Sequence, residues 1–155
     1  MKLCDVVRPG LVFLDLEAHD VKTAIGAVSR ELGRAADLDA DLVDEALTER
    51  EKLGSTSVGN GYALPHCKLP GLGEIVVALA RFNDGFNFGD TKNHDPVRFF
   101  FVVLSPPDQP AEHLQVLSQI ARILKNEGLR NELMETSEPS STIDAIQRAV
   151  EREGL

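Results

Sequence analysis

The sequence has few of the features that would assign it to a specialised class. Its longest unbroken apolar runs, Ile75–Ala80 and Phe99–Leu104, are six residues each, far short of the roughly 20 that a membrane-spanning helix needs. Its start, MKLCDVVRPG, carries neither an apolar core segment nor a small-residue cleavage site, so no secretory leader is expected. Only Cys4 and Cys67 are present, far apart and outside any CxxC pattern, which excludes a disulfide scaffold and points to a reduced, cytoplasmic setting. No Lys/Arg cluster exceeds a pair, and 16 basic against 25 acidic residues leave a net charge of −9. Nucleic acid and anionic lipid are therefore poor partners for this chain. No internal repeat, low-complexity tract or Pro/Ser/Gly linker divides the 155 residues. The expectation is a single domain over residues 1–155. At this length a chain buries about 68–70% of its unfolded surface, and 43% hydrophobic residues supply the core.

What is present reads as a layered α/β domain: a mixed β-sheet flanked by helices on both faces. Leu11–Leu16 is a short apolar strand. Asp20 is a plausible N-cap for a helix to about Arg34, with Val21, Ala24, Ile25, Val28 and Leu32 at helical spacing. Asp39 can cap a second helix carrying Leu42, Val43, Ala46, Leu47 and Leu53, ended by Gly54. Gly54–Gly61 has a loop composition, and Pro65 places His66 at a strand end, an edge or a loop. Strands are expected at Glu74–Phe82 and Val97–Leu104, joined by an Asn/Asp/Gly-rich connector. VRFFFVVL is apolar at almost every position and predicts a central strand covered on both faces. A helix from Pro110 to about Asn126 should turn Leu114, Leu117, Ile120, Ala121 and Leu124 inward. Two short helices close the chain, near Leu129–Glu135 and from about Ser141, where Ser-Thr-Ile-Asp resembles a capping box.

The four histidines, His19, His66, His94 and His113, form no HxH, HxxxH or CxxH pair, so spacing supports no metal site. His66 and Cys67 are neighbours, but in an extended segment their side chains point to opposite faces, which disfavours a cysteine–histidine nucleophile. Gly54 and Gly59 lack the Lys and Ser/Thr of a phosphate-binding P-loop, and Gly59-Asn60-Gly61 lacks the third glycine of a dinucleotide fingerprint. No cofactor is implied. There remains a hydroxyl-bearing, glycine-rich loop that leads to a histidine behind a proline, with Arg50 one turn before it. Backbone N–H groups of such a loop, with Ser55, Thr56, Ser57 and Asn60, can bind an anion. A phosphoryl group on His66 would suit them, because a neutral imidazole is a nucleophile near pH 7 without a base to activate it. Its transfer calls for positive charge, which Arg50 supplies.

The stretch TEREKLGSTSVGNGYALPHCKL (Thr48–Leu69) resembles the phosphorylation-site segment of enzyme IIA proteins of the phosphotransferase system, fructose/mannitol class, and most closely their nitrogen-regulatory member. The likeness continues through the Phe88–Val97 segment, with its Asp95-Pro96-Val97, and through EHLQVLSQIARIL (Glu112–Leu124). The resemblance implies one EIIA type-2 domain and His66 as the phosphorylated residue, with Arg50 as a supporting cation and His113 as a second histidine close in space. It also implies a phosphorylated carrier of the HPr type as donor, charged from phosphoenolpyruvate through enzyme I. Downstream it implies either regulatory target proteins or a IIB domain of a sugar pathway. Ser57 and Cys67 stand where the family usually has glycine. At a position that needs φ > 0, this costs roughly 1 kcal/mol and favours a third reading, a binding module whose transfer activity has lapsed. His19 and His94 match no site motif and are read as structural or solvated.

Overall fold

In the computed structural model, residues 1–89 and 95–155 are described; His94 and part of the expected connector lie outside them. The first helix, α1 (Val21–Ala35), is capped by Asp20, whose carboxylate accepts from Thr23 N–H at 2.8 Å while the Thr23 hydroxyl accepts from Asp20 N–H. Asp39 caps α2 (Ala40–Lys52) through Asp41 and Leu42 N–H. Between them these helices bury Ala24, Ile25, Val28, Leu32, Val43 and Leu47. Leu42 and Leu53, expected on the apolar stripe, are exposed instead. Val43 and Leu47, one turn apart, face the sheet, and Leu53 lies past the helix end.

Among the described residues, six strands form one mixed sheet: β1 (Val12–Leu16), β2 (Ser57–Gly59), β3 (Tyr62–Ala63), β4 (His66–Lys68), β5 (Val76–Phe86) and β6 (Val97–Ser105). Their order is β1-β5-β6-β3-β2, with β4 also on β6. β1 runs parallel to β5, and β5 antiparallel to β6. β3 and β4 share one edge of β6, both parallel to it: Tyr62 lies opposite Phe99, and His66 opposite Val103. The three strands β2 to β4, of three, two and three residues, are too short to show a periodicity. Pairing with the long apolar β6 is what makes β3 and β4 strands, and β2 in turn pairs with β3. Similarly, β5 continues to Phe86, through residues expected in the connector. Its pairing with β6 becomes irregular between Arg81 and Phe86, and Gly85 there has φ +69°, a bulge geometry that suits glycine.

β6 is covered on both faces. Phe99, Phe101 and Val103 join the core under α3 (Pro110–Ile123), α4 (Glu127–Glu135) and α5 (Pro139–Arg152), whereas Phe100, Val102 and Leu104 join the core under α1 and α2. The expected mixed sheet with helices on both faces is therefore what the chain forms. Three details of the helical half differ from expectation. The buried stripe of α3 is Val116, Ile120 and Ile123, an i, i+4, i+7 row; Leu114 and Ala121 lie off it and are exposed. α3 ends at Ile123, because the Asn126 side chain accepts from Gly128 N–H and starts α4. α5 begins at Pro139, whose fixed φ suits the first helical position; Ser141 therefore sits inside the first turn and caps nothing.

Candidate functional site

β4 begins at the C-terminal end of the sheet's central strand, where the backbone amide of Val103 donates to the carbonyl of Pro65 at 3.1 Å. Pro65 has no N–H of its own to offer the edge, so the chain enters β4 in a fixed geometry. His66, the first residue of β4, is half-buried and its Nδ1 lies 2.7 Å from the carbonyl oxygen of Leu64. A carbonyl only accepts, so Nδ1 carries the proton. In the neutral ring the lone pair then belongs to Nε2. Burial lowers the pKa of His66 below its ordinary 6.5. Arg50 pushes it the same way, while the Leu64 carbonyl and Glu51 oppose the shift. The ring is therefore held neutral.

His113, in the first turn of α3, faces it. The two ring centroids are 5.6 Å apart with planes tilted by 49°. Burial, then the neighbouring His66 and Lys68, push the His113 pKa down as well. The Nδ1 of His113 is hydrogen-bonded to the hydroxyl of Ser105, the last residue of β6 and fully buried. Lys68, two residues after His66 on the same side of β4, is exposed and adds a second cation. Arg50 lies in the last turn of α2, and its guanidinium donates to the carbonyl of Gly54 at 3.1 Å. Among the described residues it has no carboxylate partner.

The loop between α2 and β2 is built on Glu51. Its carboxylate accepts from both the N–H and the hydroxyl of Thr56, each at 2.8 Å. Thr56 in turn accepts from Leu64 N–H at 3.0 Å, which ties the loop to the residue that orients His66. Ser55 is exposed, and its hydroxyl accepts from Ser57 N–H at 3.2 Å. Asn60 is placed elsewhere. It occupies the β2–β3 turn with φ +57°, between Gly59 at +88° and Gly61 at +83°, and asparagine tolerates this left-handed geometry. The following Gly61 carbonyl accepts from Phe99 N–H. At ~3.3 Å per residue, the four-residue step along β6 from Phe99 to Val103 puts this turn about 13 Å from His66.

The structure thus brings His66, His113 and Arg50 together, ties Thr56 to them through Glu51 and Leu64, and sets Asn60 apart as a turn residue; Ser55 instead lines a pocket with Val21, Ile25 and Thr48 of α1 and α2. Ser57 and Cys67 need no glycine: among the described residues, the non-glycine positions with φ > 0 are Asp37 and Asn60. Cys67 faces away from His66 into the α1/α2 core, where burial pushes its thiol up to about 11. His19 is exposed at the start of α1. Among the described residues, no group of three or more His, Cys, Asp and Glu side chains could hold a metal ion, and no helix is long and apolar enough to cross a membrane. Three contributors were missed in the sequence. Lys68 was legible from the two-residue strand period and Glu51 lay inside the REK motif, whereas nothing local marked Ser105.

The architecture is a mixed-sheet α/β domain with a histidine pair at the end of its central strand, beside a glycine-rich loop headed by an arginine. The chain belongs to the family described as the phosphoenolpyruvate-dependent sugar phosphotransferase system, EIIA 2, which matches residues 5–149. It is 33% identical over 133 residues to a nitrogen regulatory protein of Bradyrhizobium diazoefficiens, covering 86% of each chain. To a fructose-specific EIIA component of Haloferax volcanii it is 36% identical over 121 residues, covering 78% of this chain and 77% of that one. The crystal structure of nitrogen regulatory protein IIA-Ntr from Neisseria meningitidis superposes with a TM-score of 0.84 at 29% identity, over 93% of this chain and 98% of that one.

Proposed function

We propose that this protein is a regulatory phosphocarrier whose His66 accepts a phosphoryl group at Nε2 from a phosphohistidine carrier of the HPr type. The observation that carries the reading is the Nδ1 contact with the Leu64 carbonyl, which leaves Nε2 as the nucleophilic atom of a ring whose centroid lies 5.6 Å from that of His113. In the transfer, the Nε2 lone pair forms the new N–P bond. The N–P bond on the carrier breaks, its electron pair returns to the carrier's imidazole, and Nδ1 of His66 keeps its proton. The passage is loose and metaphosphate-like, so positioned positive charge and donors do most of the work. Arg50, Lys68 and His113 supply them. Thr56, whose two donors are both engaged by Glu51, holds the loop between α2 and β2 in place.

The surroundings suit a macromolecular donor. Leu53, Val58 and Leu114 are 83%, 52% and 68% exposed, and they lie in or next to the segments that carry Arg50, Ser55 and His113. Apolar side chains around a polar centre are what a docking protein covers. The acidic body, at −9, favours a carrier with a basic contact face. The similarity to nitrogen regulatory proteins supports a regulatory output in the cytoplasm, in which the added charge of about −2 changes what the protein binds. A second reading is supported by the similarity to a fructose-specific component: the same phosphoryl group passes to a IIB domain.

Incubation with phosphoenolpyruvate, enzyme I and the carrier should give an acid-labile adduct on the wild type and none on His66→Ala. His113→Ala should remain chargeable but slower. A wild type that stays unmodified while a known IIA protein is charged would refute the proposal. Loss of the group to a fructose-type IIB partner would favour the second reading.

A further inference from the structure

The buried Ser105 hydroxyl has one hydrogen-bond partner among the described residues, Nδ1 of His113. Ser105 is fully buried, so its O–H cannot turn to solvent. Were Nδ1 protonated, it would donate to the Ser105 oxygen, and the hydroxyl proton would face no acceptor. Leaving a buried donor unpaired is unfavourable. With the hydroxyl as donor and Nδ1 as acceptor, both members of the buried pair are satisfied, and the proton of the neutral ring must then sit on Nε2.

We propose that Ser105 is a positioning residue that fixes His113 as its Nε2–H tautomer. Across the pair, His66 is protonated on Nδ1 and His113 on Nε2. One ring therefore presents a lone pair for phosphorus, and the other presents an N–H for a phosphoryl oxygen. Two backbone-anchored groups set opposite tautomers: the Leu64 carbonyl accepts from the first ring, and the Ser105 hydroxyl donates to the second. β4 and β6 are paired at this point, with Lys68 opposite Ser105 and His66 opposite Val103. The same strand register thus places both anchors. The tautomer follows from the hydrogen bonding alone. Its use in transfer rests on His66 being the acceptor.

The test is nitrogen–proton correlation NMR of the uncharged protein, which needs no phosphotransfer partner. The wild type should show His113 with a protonated Nε2 and an unprotonated Nδ1, and His66 with the reverse pattern. Ser105→Ala should lose the fixed His113 pattern while His66 keeps its own, which also reports an intact site. Charging by the phosphocarrier should slow about fivefold, the value of one neutral hydrogen bond. Ser105→Thr should restore both the pattern and the rate. In a His113→Ala background, Ser105→Ala should add nothing. A protonated Nδ1 on wild-type His113 would overturn the proposal. So would a Ser105→Ala protein with unchanged pattern, or an equal slowing with and without His113. If the wild type itself does not charge while its proton pattern is as stated, the tautomer assignment stands and the phosphocarrier reading falls.

Discussion

Replacing Glu51 with alanine removes the acceptor for two donors at once. The Thr56 N–H and hydroxyl each lie 2.8 Å from its carboxylate, and Thr56 is 5% exposed. A hydrogen bond to a charged acceptor contributes about 1.5–3 kcal/mol, and Glu51 is only half-buried, so the lower end applies to each. The substitution should therefore destabilise the fold by about 2–3 kcal/mol. That is a large fraction of a typical 5–15 kcal/mol yet leaves the protein folded. The assay is urea unfolding of wild type, Glu51→Ala, Thr56→Val and the double variant. Thr56→Val deletes the hydroxyl alone, so the coupling in the cycle should be about 1 kcal/mol. The same carboxylate opposes the lowering of the His66 pKa, so its loss should drive that pKa further below 6.5. A Glu51→Ala cost under about 0.5 kcal/mol, with no coupling to Thr56, would refute the view that this pair builds the loop.

Two further expectations concern protons. Both site histidines have pKa values lowered from 6.5, by burial first. The unfolded chain therefore takes up their protons at higher pH than the native protein does. Their contribution to stability is full above about pH 6.5 and is lost as pH falls toward the lower native values. The wild type should lose more stability between about pH 7.5 and 5.5 than the His66→Ala/His113→Ala double variant. The acid limb of the charging rate should likewise have its midpoint below pH 6.5; a midpoint above it would contradict the burial account. Cys67, buried and pushed up to about 11, should resist alkylation near neutral pH until the protein unfolds. Rapid labelling of Cys67 in the native state would show that β4 opens locally.

Much of the site was legible because its signals are local. Asp20 and Asp39 each precede an apolar helical stripe, and a carboxylate there can only improve a helix that begins just after it. Pro65 dictates an extended approach to His66 whatever packs around it. The β6 sequence, apolar at nearly every position, can only be a strand covered twice. Other features were decided by partners distant in sequence. β3 and β4 are strands because β6 offers unpaired backbone groups along one edge, and β2 because it pairs with β3 in turn; each is too short to show a period of its own. Leu114 points to solvent because the buried row of α3 passes through Val116, Ile120 and Ile123, a rotation that adjacent leucines do not reveal. Asn60, read as a possible phosphate donor, is placed in a turn about 13 Å away, since β3 joins β6 four residues before β4 does.

Sequence by itself determined that His66 would stand at a strand end, an edge or a loop, preceded by a proline and approached by a hydroxyl-rich loop with Arg50 at its head, because each of these is a constraint between near neighbours in the chain. Tertiary structure alone decided which nitrogen of each histidine holds its proton. For His66 the acceptor is two residues away, but it reaches the ring only because Pro65 and the β6 edge bend the chain there. For His113 the partner is Ser105, on another element, and its hydroxyl acts as a donor because, among the described residues, folding leaves the buried O–H no other acceptor.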